Sequence, residues 1–377
     1  LPLSFALPNI LLLILGVLFF FKKKKRKLNT YIKLTFILVV FILIKAILNG
    51  VFIENFELYK HLLILIPLAV VSMNIENTTL VLKGFILGVL VAVFSTLVRL
   101  GIYYYNHNQI PLGNTEESAN LLIIHRPYFG FLCFLTVLFL VKLQFEIEKT
   151  KLKIANLIAM IIVILFTYLI VARLALLLVL LLLFVLIFTK LKLTRVKKVS
   201  LLGVIIAGAL LLFFTNKNLQ DRMHIKDSYS ETIKVVSNQE PRFVIWKCAK
   251  DQIKSPEFNL IFGYDNLKSI KEKLINCYSY TIKNASKKAY YLKTKFNTHN
   301  QFFDFFLQGG IVTLLLFLSL FLVAFYFFRS DSMMTLMIFG FFMFFLLENL
   351  LHRQLGSYLF GIFIPLMFNN SLKHNNE

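Results

Sequence analysis

The sequence predicts an all-α protein, a polytopic bundle of transmembrane helices that carries one large helical loop outside the cytoplasm. Two observations predict this fold class. Of 377 residues, 58% are hydrophobic and only 16% are charged, whereas soluble domains are about half apolar and a quarter charged. Apolar runs of about 20 residues, the length that crosses a bilayer, recur along the whole chain. A soluble fold would have to bury nearly all of them, so that class is excluded.

Eleven apolar runs define the predicted bundle. They lie at residues 1–21, 31–49, 60–73, 80–98, 126–142, 154–171, 174–189, 199–214, 302–328, 333–349 and 354–368. We therefore expect about eleven membrane-spanning helices in this chain. The runs also predict three parts: N-terminal transmembrane helices at 1–214, a large loop at 215–299, and C-terminal transmembrane helices with a short cytoplasmic tail at 300–377.

Basic clusters between the apolar runs set the predicted orientation. The clusters are Lys22–Lys27, Lys142–Lys153 and Lys190–Lys198. Short cytoplasmic loops carry an excess of lysine and arginine, so we place these clusters inside. Alternation then places the large loop outside, together with Leu1, and we expect one further helix ahead of Leu1, twelve in the full protein. This distribution of the +22 net charge predicts contacts with membrane lipids and no nucleic-acid partner.

The stretch at 154–189 holds a single charge, Arg173, close to its middle. As one helix it would be about 54 Å long, at 1.5 Å per residue. The hydrocarbon core is only about 30 Å thick, and lysines flank the stretch on both sides. The chain must therefore cross the bilayer and return, with Arg173 at the outer tip of a helical hairpin.

The large loop predicts two helices, one that begins at Glu240 with Pro241 in its first turn and a second from Asn266 to about Asn276. The sequence leaves open whether Cys248 and Cys277 in this loop form a disulfide. The whole sequence contains no Gly-rich phosphate loop, no HExxH, no CxxC and no Asp-x-Asp. We therefore predict no metal and no other cofactor.

Ionisable residues mark the predicted outer ends of several helices, where charge is costly and usually functional. They are His125, Arg126, Arg173, Arg242, His299, Glu348, His352 and Arg353. Arginines and a histidine on one side of the membrane suit an anionic, lipid-anchored substrate. Each has a simpler interpretation, because an interfacial arginine also reaches lipid headgroups and a histidine also caps a helix end.

The segment Asn297–Ile311, NTHNQFFDFFLQGGI, resembles the signature of the O-antigen ligase and polymerase family. In that family a His-Asn pair ends the large periplasmic loop, and a helix with a Gly-rich middle follows. Other matching positions, within roughly residues 120–368, are His125-Arg126, Ala172-Arg173, Arg242 with Trp246, and Glu348-Asn349 with His352-Arg353. In two departures, Ala172 replaces the usual serine, and a Gly-x-Gly is reduced to Gly263-Tyr264-Asp265.

The resemblance implies an inverting, metal-independent glycosyltransferase in the bacterial inner membrane, with its active site facing the periplasm. The donor would be a glycan on undecaprenyl diphosphate and the acceptor lipid A-core. His299 is the expected general base, since an imidazole ordinarily titrates near neutral pH. Arg173 and Arg242 are expected to bind the diphosphate and stabilise its departure. The other expected substrate-binding residues are Arg126, Arg353, His125, Asn300 and Glu348.

Two alternatives remain at this stage. A polymerase would use a second lipid-linked repeat as acceptor, and some relatives glycosylate proteins; nothing in the sequence selects the acceptor. A transporter of lipid-linked glycans would place charges near the membrane midplane, often in repeated halves. Here the charges lie at the outer helix ends and no halves repeat, which argues against transport.

Overall fold

The computed structural model describes residues 6–21, 28–108, 120–215, 228 and 240–374. Those residues form helices and no strands, with one isolated bridge between Asn259 and Gly263. The predicted cluster Lys22–Lys27 and most of the first part of the predicted loop lie outside them. The helices are α1 Ala6–Phe21, α2 Thr30–Leu48, α3 Phe56–Leu63, α4 Leu65–Met73, α5 Thr78–His107, α6 Arg126–Glu146, α7 Thr150–Leu169, α8 Arg173–Thr189, α9 Arg195–Thr215, α10 Pro241–Ile253, α11 Leu267–Thr281, α12 Ala285–Thr294, α13 Gln301–Phe328, α14 Ser332–Leu347 and α15 Gln354–His374.

Among the described residues, helix covers most of every predicted apolar run. Within the described ranges, seven helical segments are long and apolar enough to cross a membrane, and four further apolar helices are shorter. The described residues are therefore all-α, and several of their helices are candidates to span a membrane. The predicted count of eleven crossings and the outer position of the loop stay predictions.

The run predicted at 60–73 differs, because it contains two helices, α3 and α4, that meet at Ile64. Pro67 lies one turn beyond this break and has no backbone N–H to donate to the carbonyl of Leu63. The ladder continues on either side, where the Ile64 amide donates to the Lys60 carbonyl and the Leu68 amide to the Ile64 carbonyl.

The described residues separate into two compact units. One lies within Asn77–Val236 and Asp331–Met337, and the other within Ala6–Glu76, Ser237–Ser330 and Ile338–Glu377. In the first unit the predicted helical hairpin is present as α7 and α8, joined by a short turn with Arg173 as the first residue of α8. The turn packs against α6 at Gly130, where a Cβ atom would lie 3.1 Å from the Cβ of Ala175 and closer to that of Ala172.

The second unit contains the helices of the large loop. The predicted helix with Pro241 at its start is α10, and the predicted helix after Asn266 is α11, which extends to Thr281. A disulfide between Cys248 and Cys277 joins them. The third loop helix, α12, was not predicted, because its Lys-rich sequence lacks an apolar run. The buried side chains of all three helices share a core that includes Leu307 of α13.

A kink in α13 anchors the loop after α10. Gly310 has φ 60° and ψ −156°, and Gly263 of the loop has φ 70°. The amide of Tyr264 donates to the carbonyl of Leu307 at 2.8 Å, and that of Ile311 to the carbonyl of Leu260 at 2.9 Å. Backbone therefore lies directly on backbone here, which only glycines at both contact points permit.

Lys45 of α2 also binds both the loop after α10 and the kink of α13. Its ammonium group donates to the carbonyls of Phe262, of Tyr264 at 2.6 Å and of Gln308 at 2.7 Å. The kink removes the helical partner of the Gln308 carbonyl, and an ammonium group with three donors replaces it. The loop and the first turns of α13 are thus fixed relative to each other.

Candidate active site

His299 lies between α12 and α13 in a backbone conformation that few non-glycine residues adopt, with φ 45°. Two asparagines stabilise this turn. The side chain of Asn297 accepts from the amide of His299 at 3.1 Å, and that of Asn300 accepts from the amides of Phe302 and Phe303 at 2.9 and 3.0 Å. Asn300 is therefore the N-cap of α13, and His299 is the residue directly before this cap.

A carboxylate orients the imidazole of His299. Nδ1 lies 3.1 Å from Oε2 of Glu348, at the end of α14. Glu348 is 7% exposed and His299 is 25% exposed, so the pair is mostly buried while the imidazole stays partly accessible. When Nδ1–H donates to the carboxylate, Nε2 carries the lone pair and can accept a proton. This is the arrangement that a general base requires.

Arg242 holds the other oxygen of the same carboxylate. Its Nη2 donates to Oε1 of Glu348 at 2.9 Å, its Nη1 to Glu240 at 2.6 Å and its Nε to the carbonyl of Leu347 at 3.1 Å. Glu348 therefore bridges an arginine and a histidine, and its position is determined by both. Three of the five N–H groups of Arg242 are used in these bonds, and the side chain is 23% exposed.

A second histidine–carboxylate pair lies beside the first. Nε2 of His352 lies 2.6 Å from Oδ2 of Asp304, in the first turn of α13. Burial alone would lower the pKa of His352, but the charge and hydrogen bond of Asp304 outweigh it and hold the pKa above the ordinary 6.5. The segment 299–304 and the segment 348–352 each contribute one histidine and one carboxylate, and each histidine pairs with the carboxylate of the other segment.

Uncharged side chains join the two segments between these pairs. Thr298 and Asn349 exchange hydrogen bonds of 2.9 and 3.1 Å. The amide of Leu351 donates to the side chain of Gln301 at 3.0 Å. Thr298, Gln301 and Asn349 are all at most 2% exposed. This buried network sets the register between the His299 turn and the Glu348 turn.

The His352–Asp304 pair predicts a pH dependence of stability. Because the pKa of His352 is raised on folding, the stabilisation is fully present below the ordinary value of 6.5 and is lost as pH rises through the higher folded value. We expect Asp304→Asn to lower the free energy of unfolding by about 1–3 kcal/mol at about pH 6. In this variant the free energy of unfolding should also decrease less between about pH 6 and about pH 9 than it does in the wild type. Thermal midpoints of both proteins across this range test it.

The control for this experiment is His107→Ala, at the exposed end of α5, which should keep the wild-type pH profile. Equal pH slopes in wild type and Asp304→Asn would show that the pair does not titrate as described.

Four further predicted site residues are described by their own surroundings. His125 is exposed and Arg126 is buried at the start of α6, and Arg173 begins α8; all three belong to the first compact unit. Arg353 is exposed and follows His352 directly. The second unit therefore brings together His299, Arg242, Glu348 and Asn300 of the predicted set.

Sequence reasoning assigned no role to Asp304 or Glu240, and it noted His352 without a partner. A weak signal existed in the first turn of α13, where Asp304 interrupts a run of phenylalanines. Among the described residues, no cluster of three or more His, Cys, Asp or Glu side chains has the arrangement of a metal site.

Residues 155–318 match the family model described as O-Antigen ligase. Over this stretch, which is less than half of the chain, the sequence is similar to the O-antigen ligase family. The matched stretch contains Arg173, Arg242 and His299, whereas Glu348 and His352 lie beyond it. The family supports a membrane glycosyltransferase that acts on lipid-linked glycans. No curated protein matches the chain.

Proposed function

We propose that this protein is a member of the O-antigen ligase family and an inverting glycosyltransferase that needs no metal ion. It moves a glycan from undecaprenyl diphosphate to lipid A-core at the periplasmic face of the bacterial inner membrane. The observation that carries the proposal is the chain of contacts from Arg242 through Glu348 to His299. It places an oriented, partly exposed imidazole at the end of the large loop of a membrane protein.

In the proposed reaction, Nε2 of His299 takes the proton from an acceptor hydroxyl. The acceptor oxygen bonds to the anomeric carbon as the bond from that carbon to the phosphate oxygen breaks. Undecaprenyl diphosphate leaves with the bonding electron pair, and the anomeric configuration inverts. Glu348 stabilises the imidazolium ion that forms, as a carboxylate does in other histidine-base enzymes. Diphosphate is a good leaving group, so no general acid is required.

Arg242 has two roles in this proposal. Three of its hydrogen bonds fix Glu348 and the loop, which makes it a positioning residue. Its remaining N–H groups are available for the diphosphate. Arg173 is the second proposed diphosphate ligand, because it is the one charge in a long apolar hairpin. His125, Arg126, Asn300 and Arg353 are proposed to contact the glycan or the diphosphate.

The proposed topology follows the basic loops. Residues 1–214 and 300–377 supply the membrane helices, and residues 215–299 form the periplasmic loop that brings Arg242 and His299 to the outer surface. The short basic loops after α6 and α8 are then cytoplasmic.

A transfer assay tests the proposal with purified protein, an undecaprenyl-diphosphate glycan and lipid A-core in the presence of EDTA. We expect transfer to lipid A-core, and a loss of about 10²-fold or more in Arg242→Ala because Glu348 loses its arginine partner. Lys247→Ala, on the exposed side of the same helix, should behave as wild type.

Other products of this assay would change the proposal. Growth of the glycan on the lipid carrier would identify a polymerase that uses a second lipid-linked repeat. Movement of intact donor across the membrane without transfer would identify a transporter. Activity that EDTA abolishes and a divalent ion restores would show that the chemistry depends on a metal.

A further inference from the structure

The chain from Ile282 to Phe303, which leads into the site, contains five lysines and no aspartate or glutamate. Within it, residues at a spacing of three form one row: Lys287, Tyr290, Lys293, Phe296 and His299. Positions three apart are neighbours on a helix surface, so the first three residues share one face of α12. We call this row the α12 strip.

Ring contacts connect the α12 strip to the proposed base. The rings of Tyr290 and Phe296 lie 5.6 Å apart, and those of Phe296 and His299 lie 5.5 Å apart. Tyr290 is 44% exposed, and Phe296 is partly exposed. The strip therefore presents a row of aromatic surface that begins at the imidazole and leads outward along α12.

Buried groups hold this row in place. The ring of Phe296 lies 5.0 Å from that of Tyr291, which is 1% exposed, and the hydroxyl of Tyr278 donates to the Phe296 carbonyl at 3.2 Å. Tyr278 belongs to α11, which the disulfide ties to α10. Because buried contacts already fix Phe296, little conformational entropy is lost when a ligand binds to this surface.

Resting on the proposed function, we propose that the α12 strip binds the glycan and that this glycan carries negative charge. The C–H faces of sugar rings pack on aromatic side chains, which Tyr290 and Phe296 supply. Lys287 and Lys293 flank Tyr290 and attract carboxylate or phosphate groups on the sugars. Acidic sugar units therefore extend from the reacting hydroxyl or anomeric carbon at His299 along α12.

Lysines alone also suit anionic lipid headgroups, and α10 carries a comparable exposed row at Lys247, Lys250 and Lys254. The α12 strip differs from that row, because it combines lysines with an exposed ring, Tyr290, whose ring contacts continue through Phe296 to His299. This continuity favours the glycan as the ligand of α12.

Binding measurements on the full chain, in nanodiscs of zwitterionic lipid, test this without any transfer step. The probes are a fluorescent oligogalacturonate, its neutral methyl ester and a poly(glycerol phosphate). We expect the two anionic probes to bind more tightly than the ester. Lys287→Gln with Lys293→Gln, and separately Tyr290→Ala, should each weaken anionic binding about tenfold.

The matched control is Lys247→Gln with Lys250→Gln, which removes the same charge from α10 and should bind as wild type. Equal loss in this control, equal binding of the neutral ester, or failure of both anionic probes would overturn the inference. So would binding only to vesicles that contain phosphatidylglycerol. If the wild-type protein transfers glycan but binds neither anionic probe, the strip inference alone fails. If the probes bind at the strip but no glycan is transferred to any acceptor, the proposed function alone fails.

Discussion

His299→Ala is expected to reduce glycan transfer about 10²–10⁴-fold, the contribution of a positioned general base. The structure explains why no neighbour replaces it. The other histidine of the site, His352, has its Nε2 hydrogen-bonded to Asp304 at 2.6 Å, so this nitrogen is already engaged and does not substitute for the base. Rates are measured in the EDTA assay at saturating donor and acceptor.

His107→Ala is the matched control, because it makes the same substitution at an exposed position of α5. It should retain wild-type transfer. Glu348→Gln should lie between the two, since an amide still accepts a hydrogen bond from Nδ1 but offers no charge to the imidazolium ion. Near wild-type transfer by His299→Ala would mean that another group removes the acceptor proton.

Gly310→Ala is expected to give the largest loss of stability, about 4 kcal/mol or more. Its φ and ψ of 60° and −156° lie in a region that is nearly restricted to glycine. A Cβ atom would lie 2.6 Å from the amide nitrogen of Phe262 and closer to the carbonyl of Ile261. Because these obstacles are backbone atoms, a side-chain rotation does not relieve them.

The measurement is the thermal midpoint of the purified protein, followed by the fluorescence of Trp246 in the loop core. Gly88→Ala on α5 is the control, since no atom lies within 4 Å of its Cβ position and alanine favours the helix. It should unfold at or above the wild-type midpoint. A wild-type midpoint for Gly310→Ala would show that the loop does not pack on the kink of α13.

The candidate site could be predicted in part. His299 and Arg242 were identified from a local motif and from their positions at the ends of the loop. The partner of His299 could not be assigned, because Glu348 is 49 residues away and only its side of the membrane was predicted. Asp304 and His352 are 48 residues apart, and nothing local marks them as a pair.

The helices and the membrane class of this protein were determined by the sequence alone, because long apolar runs respond to the bilayer before any tertiary contact forms. The hairpin at Arg173 follows from the same argument of length and charge. Only the tertiary structure decided the helix α12, the packing of the loop on Gly310, and the bridge from Arg242 through Glu348 to His299. These features depend on contacts between residues distant in the chain, where a hydrogen bond or a packed backbone, and not local hydrophobicity, selects the conformation.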